Sequence, residues 1–279
     1  FTFMGNDFDS VGGGEHVLRT PYVGRGVVSN NYLGRPDATK HCWQFHAPGQ
    51  SETGVTGGGK YSEKVVVSDN TFFGGVAAWA VFVGPQNTGV DERLRNLIFE
   101  RNYLRAGNGT SVGLVMRGPV SATTLRNNIT NMSAATGSGL IGLAVGDGGV
   151  GPTPTGISFL NNTIYGSGTG QFTGITIGTV PTNITVQNNL AYAPNASQTN
   201  LLLGTGASGL ISGNNTSNAT VTLSPGFVTL PSGNSLITTD FKVASGSYAS
   251  MAGTPTPVRS DFYLNATSLS SPDIGAAIH

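Results

Sequence analysis

The residues best suited to acid–base chemistry on an anion are a small group of cations near the start of the chain. Arg19, His46 and Arg117 each take the fourth place of a five-residue segment: His16-Val-Leu-Arg-Thr20, Trp43-Gln-Phe-His-Ala47 and Leu114-Val-Met-Arg-Gly118. Lys40-His41 stands just ahead of the second segment. Arginine grips a carboxylate through a planar fork of donors. A lysine or histidine whose pKa is lowered by neighbouring cations is free base at neutral pH and can take up a proton. Arg19, Lys40, His41 and His46 are therefore the candidate proton-transfer residues, and Arg117, Arg25, Arg35 and Trp43 the candidate binding residues. The competing roles are ordinary ones: long cations lying on a solvated face, and Trp43 as an inward-facing core aromatic.

Carboxylates suggest a second chemistry. Glycoside hydrolysis needs two carboxyl groups about 5–9.5 Å apart. Asp69 and Glu100 are the best pair, one place out of register in consecutive repeats, with Arg101 in the column of Asp69 as an ion-pair alternative. Asp37 and Glu52 flank a long loop and are the candidate Ca²⁺ ligands, though without the regular spacing of an oxygen-ligand loop. Gly57-Gly-Gly59 is not a phosphate loop, since no Gly-Lys-Ser/Thr step follows it.

A repeat must position these groups. The pattern of an apolar residue three places before an asparagine occurs in Val28-Ser-Asn-Asn31, Val67-Ser-Asp-Asn70, Phe99-Glu-Arg-Asn102, Leu125-Arg-Asn-Asn128, Phe159-Leu-Asn-Asn162, Val186-Gln-Asn-Asn189 and Ile211-Ser-Gly-Asn214. The steps are 39, 32, 26, 34, 27 and 25 residues, which is the period of a solenoid whose repeats bury their apolar sides against one another. The asparagine is expected to turn the chain in the left-handed conformation it tolerates and to stack on its neighbours as an amide ladder. The five-residue segments recur too, their third place reading Leu18, Phe45, Phe82, Met116, Val145, Ile177 and Leu203. A column of apolar residues is the inward face of a strand. Parallel connections are right-handed, so the fold class is an all-β, single-stranded right-handed parallel β-helix. Its coils fill residues 1–225, and 226–279 form an irregular C-terminal cap over the last coil.

The fourth place of those segments reads Arg19, His46, Val83, Arg117, Gly146, Gly178 and Gly204. Twelve of the fourteen Lys and Arg lie at or before Arg126, and from 127 to 239 the only charged residue is Asp147. Function is thus expected on the first four coils, with the later ones as scaffold. Glycine, at 42 of 279 residues, and 10% charged residues suit many sharp corners, while 38% apolar residues argue against disorder. Zero net charge gives no general attraction to nucleic acid or an anionic membrane. No apolar run has transmembrane length, and the lone Cys42 excludes an intrachain disulfide. A chain starting at Phe1 fits a processed export product.

The repeats and the tail together resemble secreted bacterial right-handed β-helix proteins, a group containing many polysaccharide lyases. The tail residues that carry this are Asp240-Phe-Lys-Val-Ala-Ser-Gly-Ser247, the Asp261-Phe step and Pro272-Asp-Ile-Gly-Ala276. The usual Gly-x-x-Arg between the last two is replaced by Leu264-Asn-Ala-Thr267. The resemblance implies secretion or a periplasmic location, an acidic polysaccharide as partner and β-elimination as the reaction. A non-catalytic glycan-binding module and a hydrolase using Asp69 and Glu100 are the alternatives, since this fold hosts many activities.

Overall fold

A computed structural model describes residues 1–37, 39–51, 59–74, 79–87, 89–137, 139–146, 150–204, 207–217, 227, 241–247 and 249–277. The chain winds into a right-handed parallel β-helix with three parallel sheets. The first sheet stacks Thr2–Met4, Gly26–Ser29, Ser62–Ser68, Leu94–Glu100, Val120–Arg126, Thr155–Leu160, Thr185–Gln187 and Ile211–Gly213. The second runs from Asp7–Ser10 through Tyr32–Arg35, Thr71–Phe73 and Tyr103–Arg105 to Thr216–Ser217. The third comprises Leu18–Thr20, Trp43–Phe45, Trp79–Val83, Val112–Arg117, Gly139–Gly146, Gln171–Ile177 and Gln198–Leu203. One strand from each sheet makes a coil, and coils are numbered here from the N-terminus.

The asparagine ladder is present and longer than expected at its start. It runs Asn6, Asn31, Asn70, Asn102, Asn128, Asn162, Asn189, Asn215, each side-chain amide donating to the Oδ1 of the next at 2.9–3.0 Å. Two expectations are corrected. In the last copy Ser212, not Ile211, pairs with Val186, so Asn215 rather than Asn214 carries the ladder. The turn and the ladder are also separate tasks. The left-handed residue is the one before each ladder asparagine: Gly5 at φ 68°, then Asn30, Asp69, Arg101, Asn127, Asn161, Asn188 and Asn214, with φ between 47° and 59°.

The register of the third sheet also departs from the apolar alignment. Leu18 pairs with Trp43 rather than Phe45, and Val81 rather than Ala80 lies between Trp43 and Leu114. Arg19 therefore stands opposite Gln44, and the column of His46 continues through Gly84 to Arg117. Two polarity reversals explain the slip. Thr20 takes an inward place, its hydroxyl accepting the Trp43 indole N–H at 2.9 Å. Phe82 belongs to a small cluster with Val112, Val115 and Ala144, apart from the main core that holds Val81, Val83, Leu114 and Met116. An apolar residue on the outer side defeats a rule that sends every apolar residue inward.

The described part of the tail lies along the outer side of the second sheet. Phe241, Val243, Ala249, Ile274 and Ala276 pack on Tyr103, Ile129, Tyr165, Leu190 and Tyr192. The left-handed asparagines hold it: Asn214 donates to the Ala252 carbonyl, Asn188 to Thr254, Asn161 to Asp273 and Asn127 to Ser260. The Pro-Asp-Ile-Gly-Ala run serves this contact, with Asp273 accepting the Met251 N–H and Gly275, at φ +103°, leaving no room for a side chain beside Thr163.

Candidate functional site

The outer side of the third sheet gathers several of the cations in coils 1 to 4. Two residues ahead of the paired Leu18, Trp43 and Val81 stand His16, His41 and Trp79. Their rings stack along the helix axis, His16 on His41 at 5.1 Å and His41 on Trp79 at 5.4 Å. These separations follow from the rise of about 4.8 Å between neighbouring strands. Phe82 leans against Trp79 at 5.2 Å, and the Arg117 guanidinium lies 4.8 Å from the Trp79 ring centre. A cavity of about 210 Å³ opens here, lined by His41, Gln44, Trp79, Phe82, Pro85, Gln86 and Arg117.

Backbone contacts fix the protons of both imidazoles. His41 Nδ1 faces the Trp79 carbonyl at 3.0 Å; a carbonyl only accepts, so Nδ1 carries the hydrogen and Nε2 is bare. His16 Nδ1 accepts the His41 backbone N–H at 2.9 Å, which puts the hydrogen of its neutral ring on Nε2. Burial, then the neighbouring His41, lowers the His16 pKa to about 4. Burial also lowers that of His41, opposed by the Trp79 carbonyl and assisted by the charge of Lys40. The stack therefore offers a neutral donor ring beside a neutral acceptor ring.

His46 is engaged elsewhere. Its side chain is buried, Nδ1 facing Glu92 Oε2 at 3.0 Å and Nε2 accepting from Arg19 Nε at 3.4 Å. The Lys40 backbone closes a turn on the Asp37 carbonyl. Trp43 is fully buried, stacked on Phe45 and Phe72, and cannot present its face to a ligand. Arg25 lies on an exposed turn whose carbonyl takes the N-terminal ammonium. Arg35 is on the second sheet, ion-paired with Asp9 at 2.6 Å. The site thus joins His41 and Arg117, with Arg19 beyond Gln44, and leaves Trp43, Arg25 and Arg35 apart.

The carboxylate pair is tied up in an ion network. Asp69 accepts two bonds from Arg101, at 2.8 and 3.0 Å, and Glu100 contacts both Arg101 and Arg126. Asp37 belongs to no cluster of three or more potential metal-binding His, Cys, Asp or Glu among the described residues; Glu52 lies outside them.

The residues not foreseen are His16 as part of the stack, Trp79, Glu92 and the cavity glutamines. The signal for the first two was the column two places ahead of the inward strand pair, legible once the register is right. Glu92 had none, because it reaches His46 from a loop 46 residues further along the chain. No protein-family model matches the chain, and no curated protein matches it in sequence.

Proposed function

We propose that this protein binds an acidic polysaccharide across the first four coils and cleaves it by β-elimination in the His41–Arg117 cavity. One observation carries the reading: a neutral imidazole with its bare nitrogen set by the backbone shares a cavity with an arginine that has no carboxylate partner among the described residues. Arg117 binds the uronate carboxylate and disperses the negative charge that grows when the adjacent carbon loses its proton. His41 Nε2 takes that proton. The freed electron pair forms a carbon–carbon double bond, the bond to the glycosidic oxygen breaks, and that oxygen takes a proton from solvent. No water is added to the sugar. His16, with its hydrogen on Nε2, stands one coil away and donates a hydrogen bond toward the leaving oxygen, the proton itself coming from solvent. On this reading the protein works outside the cytoplasm.

The test is incubation with a panel of acidic polysaccharides, reading unsaturated-uronate absorbance and reducing ends. The expected result is absorbance on at least one polymer, lost in His41→Ala with binding kept, and weaker binding in Arg117→Ala. Reducing ends without absorbance would make the protein a hydrolase. Binding that depends on Arg117 without product would make it a glycan-binding module.

A further inference from the structure

We infer that Arg19 is a second anion-binding point, held in place by a buried Glu92–His46 relay, so that the ligand must carry acid groups on both sides of the cavity. The inference rests on the acidic-glycan reading above and adds to it a site and a requirement on the ligand.

The relay runs from the interior to the surface. Glu92 is 6% and His46 5% exposed. One carboxylate oxygen, Oε2, takes His46 Nδ1 at 3.0 Å, the Gln86 N–H at 3.1 Å and the Ala47 N–H at 3.4 Å. That fixes the imidazole, whose Nδ1 carries the hydrogen toward the carboxylate. Its Nε2 must then be bare, and it faces Arg19 Nε, which can only donate, at 3.4 Å. A buried carboxylate, a neutral ring and an exposed guanidinium thus form a chain in which the negative charge inside is balanced by the positive charge at the surface.

Arg19 is held by its Nε, which leaves the two terminal nitrogens for a ligand. Arg35, Arg93, Arg95, Arg101 and Arg126 each pair with an aspartate or glutamate. Arg19 and Arg117, the two arginines of the third sheet, have no such partner among the described residues. A guanidinium oriented through its Nε, solvent-facing and in direct contact with no carboxylate among the described residues is a preorganised receptor for a planar acid group. Arg19 is the register neighbour of Gln44, which lines the cavity. A continuous path therefore leads from Arg19 in coil 1 to Arg117 in coil 4, three rises or about 14 Å along the axis. A ligand with a single acid residue in a neutral chain satisfies one end only.

The experiment measures calorimetric affinity for two oligosaccharides of equal length, one with uronates throughout and one with a single uronate. Arg19→Gln, at an exposed position, should weaken binding of the first about tenfold and leave the second within twofold. Arg19→Lys should not restore the loss, because one ammonium cannot meet His46 and grip a carboxylate from two sides at once. Adding His46→Gln to Arg19→Gln should cost nothing further, the non-additivity expected of residues acting through one another. Wild-type affinity in Arg19→Gln, or full rescue by lysine, overturns the inference. If Arg117→Ala still abolishes binding in that case, the acidic-glycan reading survives it; if neither arginine matters, that reading falls as well.

Discussion

Replacing Asn128 by leucine tests the ladder in its buried middle. The side chain is 1% exposed and makes four bonds. Its amide donates to the Phe99 carbonyl and to Asn162 Oδ1, both at 3.0 Å, and its oxygen accepts the Asn102 backbone N–H and the Asn102 amide, both at 3.0 Å. Leucine fills a similar volume and removes all four. The Asn102 amide keeps the Val67 carbonyl and Asn162 Oδ1 keeps the Asn128 N–H, so neither is stranded. The Asn102 backbone N–H is left without the acceptor it had, at about 1–3 kcal/mol for a buried orphan, and the lost bond to Phe99 brings the total to about 2–4 kcal/mol. For a chain of this size that lowers Tm by roughly 5–15 °C. The control is Asn6, at the exposed end of the stack, where alanine should cost under about 1 kcal/mol. Urea and thermal unfolding of both variants, followed by far-UV circular dichroism, give the comparison. Equal losses at the two positions, or a loss below 1 kcal/mol at Asn128, would refute the claim that reciprocal satisfaction of buried amides holds the coils in phase.

Other perturbations separate stability from recognition. Trp43→Ala should cost about 3–5 kcal/mol as a buried aromatic truncation, whereas Trp43→Phe should keep glycan affinity unchanged. The folded pKa of His16 is about 4, below the ordinary value of about 6.5, so the unfolded chain binds more protons between those limits. Stability contributed by this group is present above about pH 6.5 and lost as pH falls toward 4; His16→Gln should flatten the change in urea midpoint between pH 7 and pH 5. Because the His41 pKa is lowered by burial, its free-base form persists below the usual imidazole range, and the acid limb of kcat/KM should lie under about pH 6.5. Asn188→Ala removes two bonds to Thr254 and should speed proteolytic cleavage within residues 250–260 while leaving the first four coils resistant.

The β-helix was legible because two of its demands act on residue type without reference to distance. A ladder asparagine needs an asparagine above and below, and the strand preceding it needs an apolar residue at a fixed offset. Phe3-Met-Gly-Asn6 obeys the same rule and opens the ladder. The residue before each ladder member was harder, since Asn30, Asp69 and Arg101 share a backbone conformation but no chemistry. The site was legible only as types. His41 and Arg117 stand out as cations near the start, but coil lengths from 25 to 39 residues erase the phase that would put Trp79 beneath His41. Polar inward residues such as Thr20 then shift the alignment by two. The relay partner Glu92 lies on a connection between coils, where no repeat constrains position.

The tail running along the second sheet changes how the solenoid comes apart. A stack of coils joined only to neighbours frays from its free end, one coil at a time. Here the segment from Ala252 to Ser260 is fastened at Asn214, Asn188 and Asn127, so the eighth coil cannot peel away without also releasing the fifth. Asn127 and Ser260 are 133 residues apart in sequence, so this fastening closes a loop that spans the later coils. The result is a splint: it bears load across four coils and turns half of the stack into one mechanical unit. Its hydrogen bonds reach coils 5 to 8, and the tail meets coil 4 at Tyr103, against Phe241. Pulling or heating should therefore open the molecule from the recognition end, and the splinted half should give way afterward in a single step.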